Sequence, residues 1–543
     1  MRCLNASLWV LALLILAGPG LAASQADHDD CEQQTDRHLS FAACTRIIED
    51  QGEDASSRAD AHNNRAIIHQ AKGDLDRAIA DYTEAIRLDP QYANAFRNRA
   101  AAHNLRRDPD RAIADYTEAI RLEPQDAATF GERAAIYYVK RDLDRAIADL
   151  SEAIRLDPKA YFFNNRGTSY NDKRENDRAI ADLNEAIRLD PNYAAAFYNR
   201  GNAYNAKGDL PRAMADFDEA IRLDSRNVGA LTNRGLVHGD KQDHESALKD
   251  LNEAVRLDPK HADAFYNRGR THKAKGDLDR AIADFDEAIR LNPKHAAAFG
   301  ARALVYGNKG DYDRAIADYS EAIRLDPQNA IALNNRGIAY STKGDYDRAI
   351  ADLNEAIRLD PDDAVAYYNR GNALGSKGDF DRAALEYDAA LRREPGHPFA
   401  RRASGYVNFL AGKYGAAASD LLRAAQQRPE DAYSLVWLYL ARMRAGDANA
   451  IAELEANAAK LKQADWPYPV VELLLGRRTP ESVMGAAKSA SERCEAQFYA
   501  GHWHLLRGDR ASAIAALKIA FDTCPKDFAE YVGARVELKR LGQ

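Results

Sequence analysis

Apolar and small residues return along this chain in a double rhythm. Within a stretch they fall at helical spacing, and the stretch itself recurs every 34 residues. In the segment AAAFYNRGNAYNAKGDLPRAMADFDEAIRLDS, Phe197, Gly201 and Tyr204 share one helical face. Ala213, Phe217 and Ala220 share another, with Gly201 and Ala213 small enough to let the two helices cross closely. Gly208 ends the first helix, Asp209 caps the second, and Pro211 fits its first turn. A proline closes the unit at Pro90, Pro124, Pro158, Pro191, Pro259, Pro293, Pro327, Pro361, Pro395 and Pro429, with Ser225 where one more is due. The step is 34 residues except from Pro158 to Pro191, where it is 33.

The pattern predicts an all-α chain of helix pairs in which each unit packs only on its neighbours. Residues 24–58 form an N-terminal capping pair. Units begin at 59, 93, 127, 160, 194, 228, 262, 296, 330, 364 and 398, and the array ends at 431. A 34-residue unit with small residues at fixed places and a terminal proline resembles the tetratricopeptide repeat. The resemblance covers roughly four-fifths of the chain. It implies a right-handed superhelical solenoid of antiparallel helix pairs whose first helices line a concave groove.

A ladder of charge runs through the array. The seventh position of all ten regular repeats is arginine, and sixteen residues later, on the second helix, stands an acid. Arg65 and Asp81, Arg200 and Asp216, Arg234 and Asp250, and Arg268 and Asp284 are four such pairs; Arg370 and Glu386 are the last. Because the acid tracks the base in every unit, the arginines read as structural ion pairs between helices rather than as a track for an anionic polymer. In the resemblance, positions two, five, six, nine and twelve face the groove. Position six is asparagine at Asn64, Asn98, Asn165, Asn199, Asn233, Asn267, Asn335 and Asn369. Asn202 and Asn372 add an amide one turn on, and Tyr198, Tyr266 and Tyr368 stand beside them. An amide that both donates and accepts can pair with the backbone of an extended polypeptide without reading its side chains. The competing reading is that these amides satisfy neighbouring helices, or were copied along with the repeat. Clamps for acidic C-terminal motifs need cations at positions two, five and six; in the ten regular repeats Arg97 is an isolated exception of that kind.

The first residues carry a separate instruction. Arg2, the apolar run Leu8–Ala17 and the small residues Gly18 to Ala23 read as a secretory signal peptide, 1–23, cut after Ala22 or Ala23. The run is too short for a permanent membrane anchor, and no lipid-anchor cysteine follows it. The mature chain is expected to be periplasmic or secreted. Four cysteines remain in it, and three pairings are open from sequence alone. The repeat register favours Cys31 with Cys44 and Cys494 with Cys524, one clip at each end of the array. The net charge of −8, without long runs of one sign, argues against nucleic acid as a partner.

Beyond Pro429 the period decays into a degenerate helical region, 432–543, ending in a repeat-like unit at 494–527. The order of an LVWLYLA helix, a Trp466-Pro467 turn, VELLLG, a last repeat and an LGQ end resembles the C-terminal half of NlpI-type bacterial envelope lipoproteins. That resemblance implies an adaptor that gathers cell-envelope enzymes. No nucleophile elbow, HExxH, CxxC or phosphate loop is present, and His502 and His504 lack a third metal ligand, so neither enzyme nor cofactor is expected. The sequence therefore points to a protein-interaction scaffold for other envelope proteins. Its alternatives are a structural spacer and a glycan-binding accessory using the tyrosines. Its oligomeric state and partner are not written in the sequence.

Overall fold

A computed structural model describes residues 23–33, 36–526 and 528–543; the segment 1–23, expected from sequence to be a signal peptide, lies outside the described residues apart from Ala23. The described residues form thirty-one helices and no strand. Consecutive helices pack as pairs in the manner of a repeat solenoid, within two compact units that divide between Asp258 and Pro259. Among the described residues, no helix is long and apolar enough to cross a membrane.

In the first unit, helices Gln25–Glu32 and Arg37–Glu49 form the capping pair. The Cys31 and Cys44 Sγ atoms join them at 2.11 Å. The first helix of the array starts at Ala55, four residues before the expected position 59, because the Asp54 side chain accepts the Ser57 N–H and caps it there. The following first helices start at Ala93, Ala127, Ala160, Ala194, Val228, Ala262, Ala296, Ala330, Ala364 and Ala400. The 33-residue step is absorbed in a linker: three residues, 157–159, separate helices Leu143–Leu156 and Ala160–Asp172, where four separate Leu75–Leu88 from Ala93–Leu105.

Inside a pair, glycine sets how closely the helices approach. A Cβ at Gly201 would meet the Phe217 ring at 2.6 Å, and one at Gly371 would meet Tyr387 at 2.6 Å. Phe217 is in consequence fully buried between Ala213 and Ala220, which are also fully buried. Asp209 caps the second helix by accepting the Arg212 N–H, and the same aspartate cap recurs at Asp74, Asp108, Asp142, Asp277, Asp311, Asp345 and Asp379.

Each ladder arginine does more than bridge its own helix pair. From Arg65 to Arg336 the guanidinium forks onto the aspartate sixteen residues on, with donor–acceptor distances of 2.6–2.9 Å. These aspartates are buried. Arg370 reaches the longer Glu386 with one bond, 2.6 Å, leaving its Nε without a partner. A further N–H reaches the second helix of the preceding repeat: Arg99 donates to Thr83, Arg133 to Thr117, Arg166 to Ser151, Arg200 to Asn184, Arg234 to Asp218, Arg336 to Ser320 and Arg370 to Asn354, at 2.7–3.1 Å. Burial raises the Asp81 carboxyl, but the bonds from Arg65 and His62 outweigh it and hold the group at about 2.

A second, exposed ladder joins repeats. The cation closing a first helix pairs with the aspartate that opens the second helix of the repeat before, as in Arg106–Asp76 at 2.8 Å, Lys173–Asp144, Lys207–Asp177, Lys309–Asp279 and Lys377–Asp347, each at 2.5 Å. These aspartates are largely in solvent, where water and salt screen the pairs and leave them little weight in stability.

At the turn between paired helices most repeats place glycine at positive φ, but Arg107, Arg141, Arg174 and Gln242 stand there with φ of 63°. A side chain in that conformation costs about 1–2 kcal/mol. Gln242→Gly and Arg141→Gly are expected to raise the melting temperature by several degrees combined, whereas Lys140→Gly, one residue earlier in right-handed conformation, lowers it. Arg133→Ala, which leaves Asp149 buried and unpaired, is expected to destabilise by about 3 kcal/mol or more. Replacing the pair together, Arg133→Met with Asp149→Leu, should recover most of that loss in urea unfolding; no recovery would show that the rung acts through something other than charge pairing.

Candidate functional site

The predicted binding residues sit where the repeat register puts them, on the first helices, but many of their amides already bond one another. Asn98 donates to Asn63 at 2.9 Å and Asn63 to Asn64 at 3.3 Å. Asn199 donates to Asn164 at 2.9 Å and Asn164 to Asn165 at 3.1 Å. Asn369 donates to Asn334 at 2.9 Å and Asn334 to Asn335 at 3.3 Å. Asn233 donates to Asn202 at 2.7 Å. These relays tie adjacent first helices, so the neighbour-satisfying reading of the amides holds for part of their capacity. The Oδ1 atoms of Asn98, Asn199, Asn233 and Asn369 accept none of these bonds, and the four side chains are half-buried. Asn267 is buried. The partners at 63, 164 and 334 escaped the sequence reading, although the doubled asparagine before each arginine was the visible signal.

The tyrosines are also engaged. Tyr198 leans on Phe217 with ring centroids 6.3 Å apart, Tyr266 on Phe285 at 6.0 Å and Tyr368 on Tyr387 at 5.8 Å. His295 and His397 stack on Tyr266 and Tyr368, each at 4.8 Å. Arg97 is held by Asp126 at 3.1 Å.

In the second unit the chain builds something that repetition alone does not supply. Helices Ala432–Ala445, Tyr468–Leu474, Ala490–Leu506, Arg510–Thr523 and Ala529–Arg540 share one large apolar core with the eleventh repeat. Trp437 is its centre, edge-on to Tyr406 at 4.9 Å and Phe409 at 5.2 Å. His502 is buried there against Phe498, and burial lowers its imidazole to about 4, which makes it a neutral packing group. Cys494 and Cys524 lie at disulfide distance, 2.03 Å; Cys494 sits a turn inside its helix rather than at its start. The last helix returns along the array. Arg535 donates to the Ser376 carbonyl at 3.3 Å, Arg540 to that of Leu410, and Tyr406 to that of Ala529. Arg444 pairs with the buried Glu537 at 2.6 Å.

Between this returning helix and the ninth, tenth and eleventh repeats lies a cavity of about 580 Å³. Tyr368, Asn369 and Asn372 form one wall, so three of the predicted residues converge here. Tyr387, whose hydroxyl donates to Asn372 at 2.8 Å, extends it. Tyr406, Tyr433 and Trp437 also line it, together with two carboxylates, Glu495 and Glu530. Glu495 Oε2 accepts from the Tyr433 hydroxyl at 2.8 Å and from the Trp466 indole at 2.7 Å. Glu530 Oε1 accepts from the Tyr499 hydroxyl at 2.8 Å. Burial, followed by the Glu495 charge, pushes the Glu530 carboxyl up to about 7, and burial raises Glu495 as well. Arg402, also in the lining, is held by Asp431 at 3.0 Å. Among the described residues no group of side chains is arranged to hold a metal ion.

Sequence models described as tetratricopeptide repeat match residues 59–92, 105–161, 164–228, 232–296, 301–364 and 368–432, well over half of the chain. The chain belongs to the tetratricopeptide repeat family. Tetratricopeptide proteins of known structure resemble parts of it. YrrB, described as having an unusual peptide-binding site, is 27% identical over 34% of this chain and 95% of its own, with a TM-score of 0.29. MamA is 29% identical over 30% of this chain and 94% of its own, with a TM-score of 0.27. A tetratricopeptide repeat protein of Parabacteroides merdae is 24% identical over 45% and 97%, with a TM-score of 0.36.

The raised Glu530 gives this tetratricopeptide chain a defined response to pH. With its folded pKa of about 7 above the usual 4.5, its contribution to stability is complete below about pH 4.5 and is lost as pH rises through 7. Glu530→Gln keeps an acceptor for Tyr499 and removes the charge. Thermal unfolding of the variant is expected to occur several degrees above wild type near pH 8 and at the wild-type temperature near pH 5; equal shifts at both values would contradict a buried titrating carboxyl.

Proposed function

We propose that this tetratricopeptide chain is a non-enzymatic scaffold of the cell envelope that holds an extended segment of another protein along its first helices. The observation that carries the reading is the set of half-buried first-helix amides, Asn98, Asn199 and Asn233 in the first unit and Asn369 in the second. Each is oriented by an N–H bond to the neighbouring helix and keeps its Oδ1 for a ligand. An extended backbone presents donors at a repeating interval and meets such amides without sequence-specific contacts. The tyrosines favour polypeptide over sugar, because Tyr198, Tyr266 and Tyr368 rest their rings on second-helix aromatics.

Export is supported by the signal-like first residues and by two cysteine pairs at disulfide distance, which persist only in an oxidising compartment. The order of elements after Pro429 supports an adaptor role like that of the NlpI-type lipoproteins, in which envelope enzymes are gathered on one platform.

The test is crosslinking capture from a cell-envelope extract with mature protein and with an Asn199→Ala, Asn233→Ala, Asn267→Ala variant. Loss of the first two side chains also removes bonds between helices, at about 1 kcal/mol each, so both baits are used well below their measured melting temperatures. A client held by the amides is lost from the variant while its helical circular dichroism is unchanged. Equal capture by both baits would move the binding surface away from the first helices.

A further inference from the structure

The carboxylates in the cavity of the second unit have an unusual electrostatic setting. Glu495 and Glu530 are 7% and 5% exposed, and neither takes part in an ion pair among the described residues. Their hydrogen-bond donors, Tyr433, Trp466 and Tyr499, are all neutral. The nearby guanidinium, Arg402, is committed to Asp431, and Lys343, also in the lining, is committed to Asp313. Glu495 Oε1 and Glu530 Oε2 bond to no other residue. Two buried carboxyls without a counter-charge are costly in a closed core, where apolar side chains would serve better. They are retained at little cost in a cavity that a cation enters.

We propose that this cavity binds a basic side chain of a polypeptide partner, arginine in preference to lysine, seated against Glu495 and Glu530 and among the surrounding aromatic rings. The proposal rests on the scaffold reading and adds to it a specific pocket beside Asn369 and Asn372 of the second unit. Charge complementarity selects a cation. The aromatic lining selects a flat and weakly hydrated one, since a guanidinium stacks on rings and donates bidentate pairs to carboxylates; Arg402 already lies over the Tyr433 ring at 5.9 Å, which leaves Tyr368 and Tyr406 for the ligand. The volume of about 580 Å³ exceeds one side chain and leaves room for the backbone that carries it. That backbone would pass Asn369, which lines the same cavity and whose Oδ1 accepts no bond from another side chain.

Binding of a cation draws the proton from Glu530. The charged and titratable groups facing it from the packed elements are Glu495 and Tyr499, Tyr433, Tyr406, Arg402 and, at the rim, the exposed Lys526. Among the described residues that line the cavity, Lys526 is the one cation outside an ion pair, and so the candidate to occupy it in place of a partner.

The experiment is selection from a random-peptide display library on the mature full chain, on a Glu495→Gln, Glu530→Gln variant and on Lys526→Ala. Wild type should enrich sequences with arginine, less often lysine, at one fixed position. The double glutamine variant, which keeps the size and hydrogen bonding of both side chains, should lose that position and bind the enriched peptide more than tenfold more weakly. Fluorescence anisotropy should show the same peptide binding about tenfold more weakly near pH 6 than near pH 8, as Glu530 takes up its proton. Enriched peptides without a basic position, or a basic position kept by the double variant, would overturn the pocket while leaving the reading of the first-helix amides intact. A basic position selected only by Lys526→Ala would make Lys526 the native occupant and overturn the role of a partner. A library that yields no binder on any of the three would overturn the extended-peptide reading and this proposal with it.

Discussion

A guanidinium forked onto a buried aspartate is the interaction on which each repeat depends. Two charges taken out of water gain little net stability, but a fork has one geometry and therefore one register. In this chain the fork occurs between the helices of a pair, and a further N–H of the same arginine extends to the preceding pair. One side chain thus fixes both the crossing within a unit and the stacking between units. The amides follow from it. Asparagine immediately precedes the arginine in most repeats, so an arginine held rigidly presents a neighbour held rigidly, at the spacing of the array.

The non-repetitive end works on a different principle. The repeats bury alanine and one aromatic or leucine per second helix in small separate clusters, whereas the end joins Trp437, Phe409, Phe498 and Tyr499 into one continuous core. Its last helix bonds carbonyls that the repeats leave open at Ser376 and Leu410, and by standing off from Tyr368 and Asn372 it encloses space. Uniform repeats give a surface with one chemistry along its length; the returning helix converts a short part of that surface into an enclosed site with charge of its own.

Much of the architecture was legible because it is periodic. A residue at the same place in ten units can be assigned from any one of them, which is why the helix pairs, the Asp209-type caps and the Arg65 to Glu386 rungs could be read directly. The cysteines were readable for the same reason, since the register placed their helices. The hydrogen bonds from one amide to the next were less legible, because the spacing from Asn63 to Asn98 crosses a repeat boundary and depends on how units stack. The cavity was not legible at all. Glu495 and Glu530 are 35 residues apart in a stretch without regular period, and nothing in their neighbourhood in sequence reveals that Tyr368 lines the same cavity. Long-range return of a helix is a tertiary event, and local pattern does not encode it.

The acceptors of the third arginine bond are threonine at 83 and 117, serine at 151 and 320, asparagine at 184 and 354 and aspartate at 218. Any short polar side chain completes the joint. Adjoining units therefore meet through a joint that tolerates several partners, so the array can diverge in sequence at these positions and keep its stacking. The cavity has no such tolerance: it draws on three consecutive repeats, the ninth to the eleventh, and a change of sequence in any of them alters its chemistry.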